Sequence, residues 1–287
     1  PSHDSAPPPL PTLALLITVP VPSSLATPEC AEPKLAAFLQ KTVPRAVRRA
    51  DHIIAVSTQT RDDLVRLLHV PPHKSTVAYN GIDPLFRPIS RRSPVAGRQP
   101  VIDALPPRYI LHVGTLEPRK NLTRLIEAYG LLGGTSEHSD LALVLAGRKG
   151  WLYEPILAAA ERVNRAGGQV IMLDYVGDDA LPLLYNRAAA FAFPSLYEGF
   201  GIPAAEAMQC GIPTLVSTDG ALAEVTGNAA LHRDPLSVEA ITDGLHRLLT
   251  DQPLRQRLAT EGPKQVAQFT WDNAAQRVLQ VYKQVTK

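Results

Sequence analysis

The chain has 287 residues, with 45% hydrophobic and 20% charged residues, which excludes wholesale disorder and suggests about two domains. Its net charge is +2, too mild to imply a nucleic-acid protein by itself; residues 1–108 hold 13 Lys and Arg against 8 Asp and Glu, and the rest hold 16 against 19. Two cysteines, Cys30 and Cys210, build neither a disulfide framework nor a zinc site, so a reducing, cytoplasmic setting is expected.

Residues 1–12 are proline-rich and read as extended or disordered. The apolar run Leu13–Val19 reads as a buried strand and is too short to cross a membrane. The chain opens Pro-Ser-His-Asp, without methionine, and is expected to be a processed product or a fragment. Helical spacing of Leu35, Phe38, Leu39 and Val43 predicts a helix over 32–49 that Pro44 perturbs. A strand is predicted at 51–57, a helix at 60–68, and a strand at 75–79 closed by Asn80-Gly81. Residues 84–107 lack periodicity and read as a linker.

Beyond the linker the alternation is regular. Strands are predicted at 109–113, 141–146, 169–176, 189–193 and 214–217. Helices are predicted at 121–132, 153–165, 178–187 (with an Asp178 cap), 203–210, 235–249, 253–261 and 271–284. Apolar strands alternating with helices imply parallel sheets covered on both faces, with ligands bound beyond the carboxyl ends of the strands. The first unit offers only three strands, which is small for such a domain.

Two segments carry chemistry. In Ser-Leu-Tyr-Glu-Gly-Phe-Gly-Ile-Pro-Ala-Ala-Glu-Ala-Met (195–208), a strand ends at Pro194, and a glycine loop leads into a helix with free N–H groups at its start. Glu206 on that helix suits a diol such as a ribose, and Glu198 in the loop suits sugar hydroxyls. In His-Val-Gly-Thr-Leu-Glu-Pro-Arg-Lys-Asn-Leu (112–122), Gly114, Arg119 and Lys120 lie between a strand and a helix, an arrangement that suits a diphosphate. His112 reads equally as a pocket residue or a buried, hydrogen-bonded one. No Asp-x-Asp occurs, so no metal site and no cofactor are expected. No Gly-x-Gly-x-x-Gly, P-loop or Gly-x-Ser-x-Gly pattern is present. Arg45, Arg48 and Arg49 read as a solvated basic helix end, with contact to an anionic membrane as the sharper alternative.

The runs VGTLEPRKNLTRLIEAY, LVLAGRKGW and YVGDDALPLLYNRAAAFAFPSLYEGFGIPAAEAMQCGIPTLVS resemble the donor-binding domain of retaining glycosyltransferases of the GT-B fold, family 4 (glycosyl transferases group 1). ADHIIAVSTQTRDDL and VAYNGID are similar to that family's stretch at the end of the acceptor domain. The resemblance implies an α/β, GT-B-like fold of two Rossmann-type parallel-sheet domains, the first incomplete. Residues 1–83 would be the acceptor side, 84–107 the linker and 108–287 the donor-binding domain. It implies transfer of a mannose- or glucose-type hexosyl group from a GDP- or UDP-linked sugar to a glycan or lipid-linked hydroxyl, with retention and without a metal. The site would act in the cytoplasm or at the inner membrane face, with peripheral membrane contact and no nucleic acid.

By position, Lys120 and Arg119 match the diphosphate contacts, Glu206 the ribose acid and Glu198 the donor-sugar acid. Phe200 and Gly201 would offer backbone N–H groups, while Tyr175, Val176, Leu183 and Glu224 would line the base and ribose pocket. Two departures stand out. The family's glycine-rich first loop is missing, and Pro20 stands where its strand-end His belongs; His3-Asp4 is a poor substitute. A silent donor-binding or truncated homologue is the second reading, and an epimerase or phosphorylase of the same fold the third.

Overall fold

The computed structural model describes residues 15–19, 23–89, 100–133 and 138–285. The expectations for the proline-rich lead, His3-Asp4, Pro20 and the middle of the linker lie outside these residues. The first unit runs β1 (Leu16–Val19), α1 (Ser23–Ala26), α2 (Pro33–Arg49), β2 (His52–Ala55), α3 (Thr58–Leu68) and β3 (Ser75–Val77). Its sheet is parallel with order β1-β2-β3. Pro44 sits inside α2 without ending it, because Val43 and Val47 on either side pack onto the small core with Val19, Ile53 and Leu64. The predicted start of α3 moves back to Thr58 because Ser57 caps it, its Oγ accepting from Thr60 N at 3.0 Å.

After α4 (Pro100–Asp103), a turn inside the expected linker, the second unit runs β4 (Tyr109–Val113), α5 (Leu122–Gly133), β5 (Ala142–Ala146), α6 (Glu154–Arg165), β6 (Val170–Leu173) and α7 (Leu181–Arg187). It continues through β7 (Ala190–Phe193), α8 (Ile202–Gln209), β8 (Thr214–Ser217), α9 (Gly220–Thr226), β9 (Leu231–Arg233), α10 (Val238–Thr250), α11 (Gln252–Val266) and α12 (Trp271–Val285). All six strands are parallel in the order β6-β5-β4-β7-β8-β9. That is a doubly wound sheet whose order reverses between β4 and β7, so a crevice opens at their carboxyl ends.

Alternate side chains fill the two faces of this sheet. Leu111, Val144, Phe191, Phe193 and Val216 build one core, and Ile110, Leu143, Leu145, Ala192 and Leu215 the other. Ile82 and Phe86, just past the first sheet, join the former core and pin the two units together. Each such side chain contributes about 1.5–3 kcal/mol by burial.

Three expectations are corrected. β6 stops at Leu173, leaving Tyr175 and Val176 in a loop. α7 begins at Leu181, after a turn, and Asp178 does not cap it; its N-cap is Ala180. α11 runs through Pro263 to Val266. The short α9 and β9 were not predicted.

Candidate functional site

The loop after β4 crosses the loop after β5 at very close range. A Cβ on Gly147 (φ 153°) would stand 2.1 Å from the carbonyl oxygen of Gly114, so only glycine fits there. This holds the start of the β4 loop against that of β5, where Leu116 N also bonds to the Arg148 carbonyl at 2.9 Å. A 3-10 turn, Pro118–Lys120, then leads into α5 through Asn121, held at φ 59°. Its amide Nδ2 explains that conformation, donating to the carbonyls of Pro194 (3.0 Å) and Pro235 (2.6 Å). The start of α5 is thereby tied to the end of β7.

The same tie brings the cations to the glutamate. Lys120 Nζ lies 2.7 Å from Glu198 Oε1 and Arg119 Nη1 2.9 Å from the same oxygen. Arg119 also pairs with Glu117 through Nη2 and donates from Nη1 to the Tyr197 carbonyl at 2.8 Å. Leu196 N returns a bond to the Arg119 carbonyl at 2.8 Å. Lys120 Nζ lies 4.6 Å from the centre of the Phe193 ring. Lys120, Glu117 and Glu198 are all buried, so two cations and two carboxylates balance inside the crevice. Burial alone would push the Glu198 carboxyl up, but the Lys120 and Arg119 charges outweigh it and hold it below the usual range. Glu117 had no signal in the sequence beyond its place ahead of Pro-Arg-Lys.

Gly201 (φ 93°) starts α8, and a Cβ there would meet Leu222 Cδ2 at 2.4 Å. Glu206 is the fifth residue of that helix, in its second turn. Its Oε2 accepts from the buried Tyr185 hydroxyl at 2.9 Å. Burial pushes the Glu206 carboxyl up to about 7; the Tyr185 bond opposes this, and Asp178 and Asp83 add to it. The folded pKa lies above the ordinary 4.5, so this group's contribution to stability is complete below about 4.5 and is lost as pH rises through about 7. Glu206→Gln has no charge to bury. It is expected to unfold at a higher temperature than wild type at about pH 8 and at nearly the same temperature at about pH 5. Thermal melts at both values check this; an equal shift at both would contradict it.

The remaining predicted residues divide. Phe200 is buried, its ring edge-on to Phe269 (5.2 Å) and tilted against Tyr79 (6.2 Å). Val176 and Leu183 are half-buried against the larger core. Tyr175 is exposed, with the Arg148 guanidinium 4.7 Å from its ring centre. Glu224 sits elsewhere. Its carboxylate accepts from Thr58 N (2.9 Å), Gln59 N (3.1 Å) and the Tyr79 hydroxyl (2.6 Å), so it caps α3 of the first unit. Both its oxygens are engaged there rather than facing a ribose. His112 is fully buried with Nδ1 2.9 Å from the Ala192 carbonyl; burial lowers its pKa to about 3, so it stays neutral.

Among the described residues no cluster of three or more His, Cys, Asp or Glu side chains could hold a metal ion, and no helix is long and apolar enough to cross a membrane.

Two parallel-sheet units with a charged crevice at the point where the larger sheet's strand order reverses define a GT-B-like α/β protein. The family model for glycosyl transferases group 1 matches residues 98–265, and that for glycosyltransferase family 4 matches 2–85. The chain belongs to the glycosyl transferases group 1 family. It is 34% identical over 249 residues to O-antigen chain mannosyltransferase B of Escherichia coli, covering 86% of this chain and 64% of that protein. It is 31% identical over 242 residues to glycogen synthase of Mycobacterium tuberculosis, covering 82% of this chain and 55% of that one. The chain thus spans less than two thirds of either relative. Sucrose-phosphate synthase from Thermosynechococcus elongatus shares the fold at a TM-score of 0.76 and 22% identity, over 94% of this chain and 67% of that one. Anabaena Alr3699/HepE, solved with UDP and glucose, does so at 0.76 and 18%, over 96% and 72%.

Proposed function

We propose that this chain is the donor-binding part, with a portion of the acceptor side, of a retaining hexosyltransferase. It would move a mannose- or glucose-type group from a GDP- or UDP-linked sugar to a glycan or lipid-linked hydroxyl, without a metal or other cofactor. The observation that carries this reading is the buried Lys120–Glu198 pair, 2.7 Å long, at the strand-order reversal beside the start of α5. The similarity to a mannosyltransferase supports the mannose assignment, and HepE, a neighbour in fold, was solved with UDP and glucose. Residues 108–287 would hold the donor, 1–83 would contribute the acceptor side, and 84–107 would link them. The free, buried Cys30 and Cys210 favour a cytoplasmic setting.

In this reading Lys120 and the amino end of α5 hold the diphosphate, with Gly114 letting the backbone approach it closely. Glu206 takes the ribose hydroxyls, and the loop amides at Phe200 and Gly201 face the sugar with Glu198. As the bond from the anomeric carbon to the phosphate oxygen breaks, the acceptor oxygen bonds to the same face of that carbon. The leaving phosphate oxygen takes the acceptor's proton. Lys120 and Arg119 offset the charge that develops on the diphosphate.

The test is nucleoside diphosphate release from GDP-mannose and UDP-glucose in the presence of hydroxyl-bearing glycan acceptors. Acceptor-dependent release with a retained anomeric configuration is expected. Calorimetric binding of the sugar nucleotide without release would support the second reading, a silent donor-binding protein.

A further inference from the structure

The loop that carries Glu198 is held from two sides. From the donor side, Arg119 grips the Tyr197 carbonyl at 2.8 Å, and Leu196 N is bonded to the Arg119 carbonyl at 2.8 Å. From the other side comes α3 of the first unit. Asp63, only 1% exposed, accepts from the Tyr197 hydroxyl at 2.7 Å, from Gln59 Nε2 at 2.8 Å and from Arg66 Nη2 at 2.6 Å. One turn earlier, Thr60 Oγ1 reaches the Gly199 carbonyl at 3.4 Å. Tyr197 and Gly199, the residues on either side of Glu198, are therefore both fastened to α3. Glu224 fixes the other end of the contact by capping α3 through Thr58 N and Gln59 N.

We propose that Tyr197 and Asp63 are positioning residues for the sugar end of the donor site: their hydrogen bond lets helix α3 of the first unit set where the Glu198 carboxylate stands. This rests on the donor-site reading above and deepens it. A buried carboxylate would ordinarily be costly, and burial does push the Asp63 carboxyl up. The bonds from Gln59, Arg66 and Tyr197 outweigh that and hold it below the usual range, so the acceptor of the Tyr197 bond is a charged oxygen. Such a bond is short, directional and stronger than a neutral one. An ordinary packing contact between units needs no buried charge bonded to the side chain that precedes Glu198.

The bond joins the two units, so it ties the geometry of the sugar-facing acid to the docking of the first unit. The diphosphate end, built on Lys120, Gly114 and the start of α5, belongs to the second unit alone. Loss of the Tyr197 hydroxyl is therefore expected to act on recognition of the sugar and to spare recognition of the nucleotide.

The experiment compares Tyr197→Phe and Asp63→Ala with wild type by calorimetry. Each protein is titrated with GDP and GDP-mannose, and with UDP and UDP-glucose. The ratio of sugar-nucleotide to nucleotide affinity is insensitive to how much of a preparation is folded, so a merely structural defect does not move it. In Tyr197→Phe, which keeps the ring and removes only the hydroxyl, the ratio for the bound pair is expected to fall about tenfold, with affinity for the bare nucleotide within about twofold of wild type. Asp63→Ala is expected to lower the ratio as well. An unchanged ratio in both variants overturns the proposal, as does an equal loss for nucleotide and sugar nucleotide. The donor-site reading is judged separately on wild type. A wild-type protein that binds none of the four ligands, or binds a sugar nucleotide no more tightly than its bare nucleotide, overturns the sugar end of that reading and the proposal with it.

Discussion

Lys120→Ala is expected to weaken binding of a nucleoside diphosphate by about 10- to 100-fold, the worth of one charge-assisted hydrogen bond of about 1.5–3 kcal/mol. The same substitution should also lower stability. Glu198 stays buried when the lysine is gone, and it keeps Arg119, 2.9 Å away, a cation it shares with Glu117. Removing one partner of a fully buried ion pair costs about 3–5 kcal/mol; with a second cation in place, about 1–3 kcal/mol is expected here. Calorimetry with GDP and UDP measures the first effect, and denaturant unfolding the second. Wild-type affinity in the variant would remove the diphosphate from this corner of the fold.

Glu198→Gln should act in the opposite direction on binding and far more strongly on turnover. Lys120 and Arg119 are matched by Glu198 and Glu117, so a diphosphate would compete with the protein's own carboxylate for Lys120. The glutamine keeps the shape and releases one positive charge to the ligand. Affinity for the bare nucleoside diphosphate is expected to rise about two- to tenfold at low salt, and the gain should shrink as salt screens the charge. Turnover of the sugar nucleotide should fall by about 100- to 1,000-fold, because in the proposed site Glu198 faces the sugar and the variant loses the charge that would strengthen its bonds in the transition state. Steady-state kinetics with GDP-mannose and UDP-glucose, set beside calorimetry with GDP and UDP, separates the two. A variant that loses both properties together would show that Glu198 serves only to hold the loop.

The sequence made the second unit legible because its signals are local. β5 and β7 are continuous apolar runs buried on both faces, β4 is one interrupted by His112, and such runs stand out against the loops that follow them. The approach of Lys120 to Glu198 was implicit in two motifs at the ends of β4 and β7, which the sheet places side by side. The misread elements have physical causes. β9 is Leu-His-Arg, too short and polar to show an apolar run. β6 reads as longer because Tyr175 and Val176 continue its pattern, yet the strand ends where its pairing with β5 stops, at Leu173. Pro44 was expected only to perturb its helix, which it does not end, and the helix predicted to stop at 261 runs on through Pro263 to Val266, because neighbouring side chains pack well enough to offset one lost backbone bond. The contacts that join the units were not legible at all. Tyr197 and Asp63 are 134 positions apart, and Glu224 lies 166 positions from Thr58; no periodicity links residues at such distances. For the same reason Glu224 read as a pocket acid, and nothing in the sequence pointed to its bonds with Thr58 N, Gln59 N and the Tyr79 hydroxyl.

The most direct measurement is a structure of the protein with GDP or UDP bound. The account predicts the two phosphates between Gly114 and the amino end of α5, within hydrogen-bond reach of Lys120 Nζ, with the ribose hydroxyls on Glu206. A nucleotide seated elsewhere, or one that leaves Lys120 and Glu206 untouched, would contradict it.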